Sequence, residues 1–287
     1  MSLTTLEAWL AAHPYLRPLG LFCAEVEDAA AASAAAAAPV PDWEDYAADF
    51  RAGVPLLRSL DAGIDLEAGG RAVLALVERL ATKPAGGKAA VDVSSLREEL
   101  RAAGASPGRL VDFLLGEETL APSSPGLLRY LGWTAMARHL APAVTSFAAW
   151  RDEERWLRAT CPTCGSPPAM AQLVGTDPGR MRLLSCGCCG THWRYSRTGC
   201  PFCEKDDRKL TSLSIEGEAG LRIDSCDACQ AYLKTYDGEG SEAVLLLDWT
   251  SLHLDVLAHD RGLNRRAASL YELEPLLRAS SGPQPAG

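Results

Sequence analysis

Cysteine supplies most of the chemistry available to this chain of 287 residues. Nine of its ten cysteines lie between residues 161 and 229, and eight of these form Cys-x-x-Cys pairs. Thiolates are both metal ligands and nucleophiles, so pairs at this spacing could hold a metal, carry out thiol redox chemistry or form disulfides. The four pairs are Cys161/Cys164, Cys186/Cys189, Cys200/Cys203 and Cys226/Cys229.

The four pairs belong to one unit that is written twice. Their gaps read C-x2-C-x21-C-x2-C, then ten residues, then C-x2-C-x22-C-x2-C. The segment RMRLLSCGCCGTHWRY matches GLRIDSCDACQAYLKT forty residues later, which aligns Arg182 with Arg222 and Arg194 with Lys234. In both copies strand-like sequence around a turn separates the pairs. Each unit is therefore predicted to be two knuckles joined by a β-hairpin.

A metal site explains this spacing best. Two intervening residues let a tight turn aim both thiolates at one ion, and two such knuckles complete a tetrahedron of four sulfurs. We therefore predict two metal ions, zinc or iron, with the eight paired cysteines as ligands. A residue free to adopt positive φ eases such a turn. Gly165 and Gly190 follow the pairs of the first unit, whereas Glu204 and Gln230 should make the second unit less relaxed.

Three alternatives stay open at this point. Cys-x-x-Cys is also the oxidoreductase motif, although no pair here opens a clear βαβ unit. The second and third pairs, which are separated by ten residues, could instead bind one ion together, so that the ligands of each site would come from both units. Cys188 is a surplus thiol beside Cys189, but Cys189 aligns with Cys229 and is the predicted ligand. A completed four-thiolate site leaves no coordination position for His192.

The first half of the chain is predicted to be helical and without catalytic residues. Apolar residues recur at helical spacing in segments such as LEAGGRAVLALVERLATK, which favours an all-helical bundle. Residues 29–41 are rich in alanine and predict either a helix extension or a flexible linker. Pro142 is expected to start a new helix. The candidate helix caps are Thr4 or Thr5, Ser94 or Ser95, and Ser106. The residues expected to be core or helix-surface positions are Cys23, His13, His139, Trp133, Phe147 and Trp150.

The closing segment DWTSLHLDVLAHDRG predicts a helix. Thr250 or Ser251 would cap it and Gly262 would end it. His253 and His259 are expected on its solvated outer face. The fold class is thus α+β, and the predicted division of the chain is 1–156 helical domain, 157–197 first four-cysteine module, 198–240 second four-cysteine module, 241–278 C-terminal helical segment and 279–287 disordered tail.

Composition and charge argue against several classes of protein. The longest apolar run is far shorter than the about 20 residues of a membrane helix, and the start of the chain shows no secretory signal, so we expect a cytoplasmic protein without a membrane span. A formal charge of −9 argues against nucleic-acid binding. Residues 160–236 hold nine basic and eight acidic residues; eight thiolates and two divalent ions leave this region near −3. Four arginines are expected to neutralise the first metal–thiolate cluster or to bind an acidic patch on a partner: Arg180, Arg182, Arg194 and Arg197.

Five segments of the sequence together resemble one known family. They are AAHPYLRPLGLFCAEVEDA, CPTCGSPP, CGCCGTHWRYSRTGCPFC, CDACQAYLKTY and LLLDWTSLHLDVLAHDRGLNR. Their order resembles the formate dehydrogenase accessory protein FdhE, most specifically in the W-x-x-x-R-x-x-C-x-x-C run that begins at Trp193. The alanine-rich segment and Cys188 depart from the family pattern, but neither touches a predicted ligand.

The resemblance implies a function without catalysis. It implies a cytoplasmic, non-enzymatic maturation factor that binds the catalytic subunit of a molybdenum- or tungsten-dependent formate dehydrogenase and acts on its assembly. The fold that it implies is a helical domain followed by two rubredoxin-like, zinc-ribbon-type modules. Trp193 and Arg197 are our candidates for partner contact, with packing between the modules as the alternative. A redox protein acting on the dehydrogenase and a nucleic-acid-binding zinc ribbon are the alternative functions, and a homodimer stays open.

Overall fold

Helices make up most of the described part of the first 150 residues of the computed structural model, and the paired cysteines lie at turns beside the strands that follow. The structure describes residues 5–33, 37–82, 88–117, 120–176, 179–205, 210–218 and 220–267. The predicted tail 279–287 and the end of the predicted C-terminal segment lie outside these ranges. The helices of the first half are α1 Leu6–Ala12, α2 Arg17–Ala32, α3 Trp43–Ala52, α4 Leu66–Thr82, α5 Lys88–Ala102, α6 Pro107–Leu115 and α7 Pro125–Trp150.

Local sequence signals account for several of the helix ends. Thr5 caps α1 by accepting a hydrogen bond from the Ala8 N–H at 3.1 Å, and Ser106 caps α6 by accepting one from Arg109. Helix α2 includes the alanine-rich segment as far as Ala32. After it, the Ala38 N–H donates to the backbone carbonyl of His139.

Two sequence-based expectations about helix starts are wrong. Ser94 and Ser95 lie inside α5 and cap nothing, because that helix begins at Lys88. Pro142 lies within α7, which continues unbroken to Trp150. Since Pro142 and Arg138 are both on the exposed face of α7, water can reach the Arg138 carbonyl that loses its intrahelical donor.

Helix α4 lies at the centre of the helical half and packs against α2, α5, α6 and α7. Its predicted apolar face is buried, and Gly70 lets it approach the start of α6 so closely that a Cβ there would come within 2.3 Å of the Pro107 carbonyl oxygen. Trp133 and Phe147 of α7 are buried, as predicted. Among the described residues, no helix is both long enough and apolar enough to cross a bilayer.

Both four-cysteine units contribute to one seven-stranded sheet. Its strands are β1 Met170–Val174, β2 Met181–Ser185, β3 His192–Tyr195, β4 Leu210–Ser214, β5 Leu221–Cys226, β6 Ala231–Tyr236 and β7 Asn264–Arg265. The order is β3-β2-β1-β6-β5-β4, with β7 also paired to β6. Each unit is an antiparallel set of three strands, and the units join where β1 runs parallel to β6. The predicted module boundary at 197/198 thus falls within one continuous sheet.

The repeat seen in the sequence is also a repeat in strand register. Arg182 pairs with Tyr195 in the first unit, and Arg222 pairs with Thr235 in the second, forty residues later in each case. The first hairpin pairs Met170 with Ser185, whereas the second pairs Leu210 with Cys226. The second unit therefore absorbs its one additional residue in its first hairpin.

The helical half is hydrogen-bonded to the first knuckle. A 3-10 turn at Leu56–Arg58 donates from Leu56 N–H to the Pro162 carbonyl and from Leu57 N–H to the Thr163 carbonyl, both at 2.9 Å. Cysteines of the first unit also belong to the same apolar core as the helices. The predicted boundary at 156 therefore crosses a shared interior.

The C-terminal segment covers the second unit. It comprises α8 Glu242–Leu245, a 3-10 turn at Asp248–Ser251, and α9 Leu252–Asp260, which ends just before Gly262 at φ +73°. The predicted helix is present, with Ser251 at its N-cap position but without a side-chain capping bond. Strand β7 was not expected from the sequence.

Candidate metal centres

The structure brings the eight paired cysteines together as two groups of four. In the first group the sulfurs of Cys161 and Cys189 are 3.5 Å apart, and those of Cys164 and Cys186 are 3.4 Å apart. The corresponding distances in the second group are 3.7 Å and 3.8 Å. A tetrahedron with metal–sulfur bonds of about 2.3 Å has edges of about 3.8 Å, so both donor sets fit a Zn²⁺ or Fe ion. Each group draws on one unit of the repeat, without crossing over.

All four knuckles use the same backbone turn. The N–H of the residue after each pair donates to the carbonyl of the first cysteine, at 2.9 to 3.2 Å. These residues have positive φ: 79° at Gly165, 73° at Gly190, 53° at Glu204 and 54° at Gln230. Within the described ranges, the last two are the non-glycine residues with positive φ. Because positive φ is strained for residues other than glycine, the knuckles of the second unit are less relaxed than those of the first, as expected.

The first cluster is buried, and its thiols perturb one another. All four of its cysteines are buried. Burial raises the pKa of the Cys161 thiol well above its ordinary value, and the contact with Cys161 raises the pKa of Cys186 while lowering that of Cys164. Four thiolates cannot share such a pocket without a counter-charge, whereas a divalent cation would allow all four to ionise.

The second cluster reaches the surface. Cys200 and Cys226 are buried, but Cys203 and Cys229 are only partly so. The Phe202 N–H points at the Cys200 sulfur at 3.4 Å, just as the Cys188 N–H points at the Cys186 sulfur in the first cluster. The two clusters therefore share a knuckle geometry and differ in access to solvent.

The cysteines and histidine outside the predicted ligand set also lie outside both clusters. Cys188 is buried beside the first cluster, but Cys189 supplies the fourth sulfur. His192 begins β3, and its Nδ1 lies 3.3 Å from the Ser185 hydroxyl. Cys23 is buried in α2, as expected for a small core residue.

The two residues suggested for partner contact differ in exposure. Trp193 is 0% exposed, and its indole N–H donates to the Arg158 carbonyl at 3.1 Å. The Trp193 side chain is thus buried and fixed to the segment before the first knuckle, and its contact with a partner stays a prediction. Arg197 is exposed and lies at the rim of an open cleft.

This cleft, of about 510 Å³, is lined by the four arginines singled out in the sequence. Arg180 pairs with Asp237, and Arg194 pairs with Glu154. Arg182 is buried, and its guanidinium lies over the Tyr195 ring at 5.4 Å from the centroid. The predicted basic cluster therefore exists, and only part of it faces solvent. We call it the arginine cleft.

Comparison with known proteins bears on the cysteine units and on the whole chain. The family model described as "FdhE, central domain" matches residues 160–197, which span the first cluster. A crystal structure of the FdhE protein from Pseudomonas aeruginosa superposes with a TM-score of 0.62 and 28% identity, over 90% of this chain and 88% of that one. A "Protein FdhE homolog" from the same organism is 33% identical over 205 residues. The chain belongs to the FdhE family.

The alignments with FdhE homologues are partial in length. That from Pseudomonas aeruginosa covers 67% of this chain and 63% of the relative, and one from Aquifex aeolicus, 30% identical, covers 48% and 50%. The chain thus spans from about two fifths to somewhat under two thirds of the length of the curated FdhE relatives that it matches. The likeness to the solved FdhE structure extends further along both chains.

One cluster of side chains was not expected from the sequence. His253 was expected on a solvated face, and this is wrong: its side chain is 16% exposed and lies against His13 and Glu218. His259, on the same helix, is exposed as expected. His13 and Glu218 are separated by 205 positions in the chain, so no local spacing could reveal the cluster.

Proposed function

We propose that this protein is a non-enzymatic accessory factor that binds the catalytic subunit of a formate dehydrogenase during its assembly. The observation that carries the proposal is the likeness to a solved FdhE protein over 90% of the chain. The eight paired cysteines would hold two ions, zinc or iron, in rubredoxin-like sites. A cytoplasmic location and the lack of nucleic-acid binding are further parts of this proposal.

The ions would mainly stabilise the fold and would affect partner binding through it. In the first cluster, four ligands from two knuckles would fix residues 161–164 against the helical half and residues 186–189 against β2 and β3. The second cluster would fix the far end of the second unit. A structural ion of this kind contributes directly to folding free energy, so partner binding would depend on metal through the shape of the surface.

The arginine cleft is our proposed contact surface. Arg197 is exposed at its rim, and Leu157 and Met181 line it with 67% and 41% of their surface exposed. Large apolar side chains beside guanidinium groups suit a partner segment that carries both acidic and apolar residues. We propose such a segment of the catalytic subunit as the occupant.

Co-purification with the catalytic subunit tests this surface. We expect the full-length Arg197→Glu variant to retain at most about a tenth of wild-type association, because a glutamate facing an acidic partner segment costs about 1.4 kcal/mol or more. Arg71→Glu is the matched control, since Arg71 is an exposed arginine on α4, in the helical half. Wild-type association by a folded Arg197→Glu variant would exclude the arginine cleft as the contact.

The contribution of the second cluster needs its own variant. Replacing Cys200 and Cys203 together with alanine removes half of its donors. We expect reduced association in the same assay. Undiminished association by a folded double variant would show that this cluster has no part in binding.

A second candidate function is redox chemistry on the dehydrogenase. The solvent access of Cys203 and Cys229 favours it, because electron exchange requires approach to the ion. An iron-loaded protein would be reddish, with a thiolate-to-iron charge-transfer band that bleaches on reduction. A colourless protein containing two zinc ions would remove the iron version of this function.

A further inference from the structure

Two histidines and a glutamate from three distant segments meet beside the second unit. His13 follows the last residue of α1, Glu218 lies in the turn between β4 and β5, and His253 lies in α9. The Glu218 Oε1 atom is 3.4 Å from His13 Nε2 and 3.0 Å from His253 Nε2. One ligand atom of each residue lies within 4.8 Å of the others. The three side chains are only 12 to 16% exposed.

Polar atoms of this cluster are left without hydrogen-bond partners. The buried atoms concerned are Nδ1 and Nε2 of His253 and Oε2 of Glu218. The 3.0 Å approach of His253 to Glu218 therefore lacks hydrogen-bond geometry. A buried polar atom without a hydrogen-bond partner destabilises the fold, so three in one place call for an ion or a water.

His13 is held in the form that a metal requires. Its Nδ1 lies 3.0 Å from the Trp9 carbonyl oxygen, which can only accept, so Nδ1 carries the proton. Nε2 faces Glu218 Oε1 at 3.4 Å; it donates to this oxygen when the ring is protonated and offers its lone pair to a cation when the ring is neutral. The Trp9 ring stacks on the His13 ring at 3.9 Å, and the Trp9 indole N–H donates to the Thr250 carbonyl. Metal-bound histidines are typically oriented by such a bond from the second ring nitrogen.

The spacing suits one small cation. Bonds of about 2.0–2.2 Å from a cation to nitrogen and oxygen place neighbouring ligand atoms about 3–3.5 Å apart. Two of the three contacts already lie at this separation, and the imidazole rings are stacked, with centroids 5.3 Å apart. We propose that His13, Glu218 and His253 bind a divalent transition-metal ion, such as Zn²⁺, at a site separate from both cysteine clusters.

The proposed site would join parts of the fold that the cysteine clusters leave unconnected. One ion would tie the end of α1 to the β4–β5 turn and to α9. Two imidazoles and one carboxylate also leave coordination positions open to water, unlike a closed four-thiolate site. The inference does not depend on the proposed function, since it rests on these three residues alone.

Metal counting on the full chain tests the site. The wild type, Glu218→Gln and His253→Gln are dialysed to equilibrium against buffered Zn²⁺ at micromolar free concentration, and the bound metal is measured by mass spectrometry. We expect each variant to bind one zinc fewer than the wild type. Glu218→Gln keeps the shape of the side chain, so circular dichroism should show an unchanged fold. His259→Gln, an exposed histidine on the same helix, should bind as much zinc as the wild type.

The absorption spectrum of bound Co²⁺ shows which ligand atoms a substitution removes. The difference spectrum between Co²⁺-loaded wild type and His253→Gln should contain weak visible d–d bands and no sulfur-to-cobalt charge-transfer band. Equal zinc in all four proteins would overturn the proposal and leave a cluster of hydrogen bonds and water. Sulfur bands in the difference spectrum would also overturn it, because the lost metal would then belong to a cysteine cluster.

Discussion

Glu204 and Gln230 adopt a backbone conformation that glycine adopts in the first unit. For residues other than glycine this left-handed region costs about 1–2 kcal/mol. The hydrogen bonds from Glu204 to Cys200 and from Gln230 to Cys226 show why the conformation is kept: the turn aims both sulfurs of each pair at one point. Strain at the second cluster is thus the energetic consequence of its ligand geometry.

Relieving this strain should stabilise the protein. We expect Glu204→Gly to raise the free energy of unfolding by about 1 kcal/mol. Glycine removes the steric cost of positive φ from the folded state, and this gain exceeds the stability lost through the greater freedom of glycine in the unfolded chain. Urea unfolding of the metal-loaded protein measures it. Gly190→Ala should have the opposite sign, since Gly190 has φ +73° with open space around its Cβ position. A lower stability for Glu204→Gly would mean that its side chain contributes more than the strain costs.

The adjacent thiols Cys188 and Cys189 offer a second test at this scale. Cys189 lies 3.5 Å from Cys161 within the first cluster, whereas Cys188 lies outside the four. We expect Cys188→Ala to bind as much metal as the wild type and Cys189→Ala to lose one equivalent or to fail to fold. Metal analysis of both variants decides between them. Loss of metal from Cys188→Ala alone would reverse the assignment.

The grouping of the eight paired cysteines could be predicted because its sequence signals are local. Two cysteines with two residues between them define a knuckle, and the repeat aligns Cys189, not Cys188, with Cys229. The cluster of His13, Glu218 and His253 carries no such signal, since helix packing and a hairpin turn bring its members together. Trp193 shows a related difficulty: its place in a motif predicts importance but does not separate packing from contact.

At the scale of elements, the two units differ in what covers them. Arg194 is partly exposed and paired with Glu154, while its repeat partner Lys234 is 1% exposed on β6. The Lys234 ammonium lies 2.7 Å from Asp248 and 2.8 Å from Asp255, in the segment that follows the repeat. Arg265 of β7 contacts both carboxylates. This buried charge network attaches the C-terminal segment to the second unit.

Removing one charge from the network should be costly. Burial alone would raise the pKa of the Asp248 carboxyl, but the charges of Arg265 and Lys234 hold it well below its ordinary value. We expect Asp248→Asn to lose about 3 kcal/mol of unfolding free energy at pH 7, since it leaves two buried cations with one carboxylate. Asp260→Asn, at an exposed position in α9, should change stability by less than about 0.5 kcal/mol.

The same variant should show a defined dependence on pH. A carboxyl with a lowered folded-state pKa contributes stability above its unfolded pKa of about 3.9, and this stability is lost as the pH falls through the folded-state value. The gap in stability between wild type and Asp248→Asn should therefore be constant from pH 7 to pH 5 and narrow below about pH 4. Urea unfolding across this range measures it. A gap that does not narrow in acid would show that the Asp248 charge is not its source.

Helices and strands can be predicted from the sequence where a local pattern specifies them, and cannot be where tertiary packing determines them. Apolar spacing gives α4 and α9, and the turn signals give both hairpins. Pro142 was expected to break α7, but its exposed position makes the lost hydrogen bond tolerable. Ser94 and Ser95 resembled caps because the start of α5 lacks a stronger signal. Strand β7 is two residues long and exists through pairing with β6.

At the scale of the whole molecule, the clusters occupy unequal positions. The first lies in the core shared with the helices, and the second is at the surface of its own unit. We expect the double change Cys161→Ala/Cys164→Ala to lower the melting temperature by well over 10 °C or to prevent folding. Cys200→Ala/Cys203→Ala should have a smaller effect, limited to the second unit. Calorimetry with far-UV circular dichroism compares them; equal losses would show that the units unfold together.

The hydrogen bonds from Leu56 and Leu57 to the first knuckle also have a consequence for synthesis on the ribosome. Both donors leave the ribosome long before their acceptors at residues 162 and 163, so the helical half reaches its final packing only once the first knuckle has emerged. The first ligand set is complete at Cys189, before Cys200 of the second is made. If the first cluster holds an ion, the nascent chain could bind it, and so complete the packing of the helical half, while the second unit is still being translated.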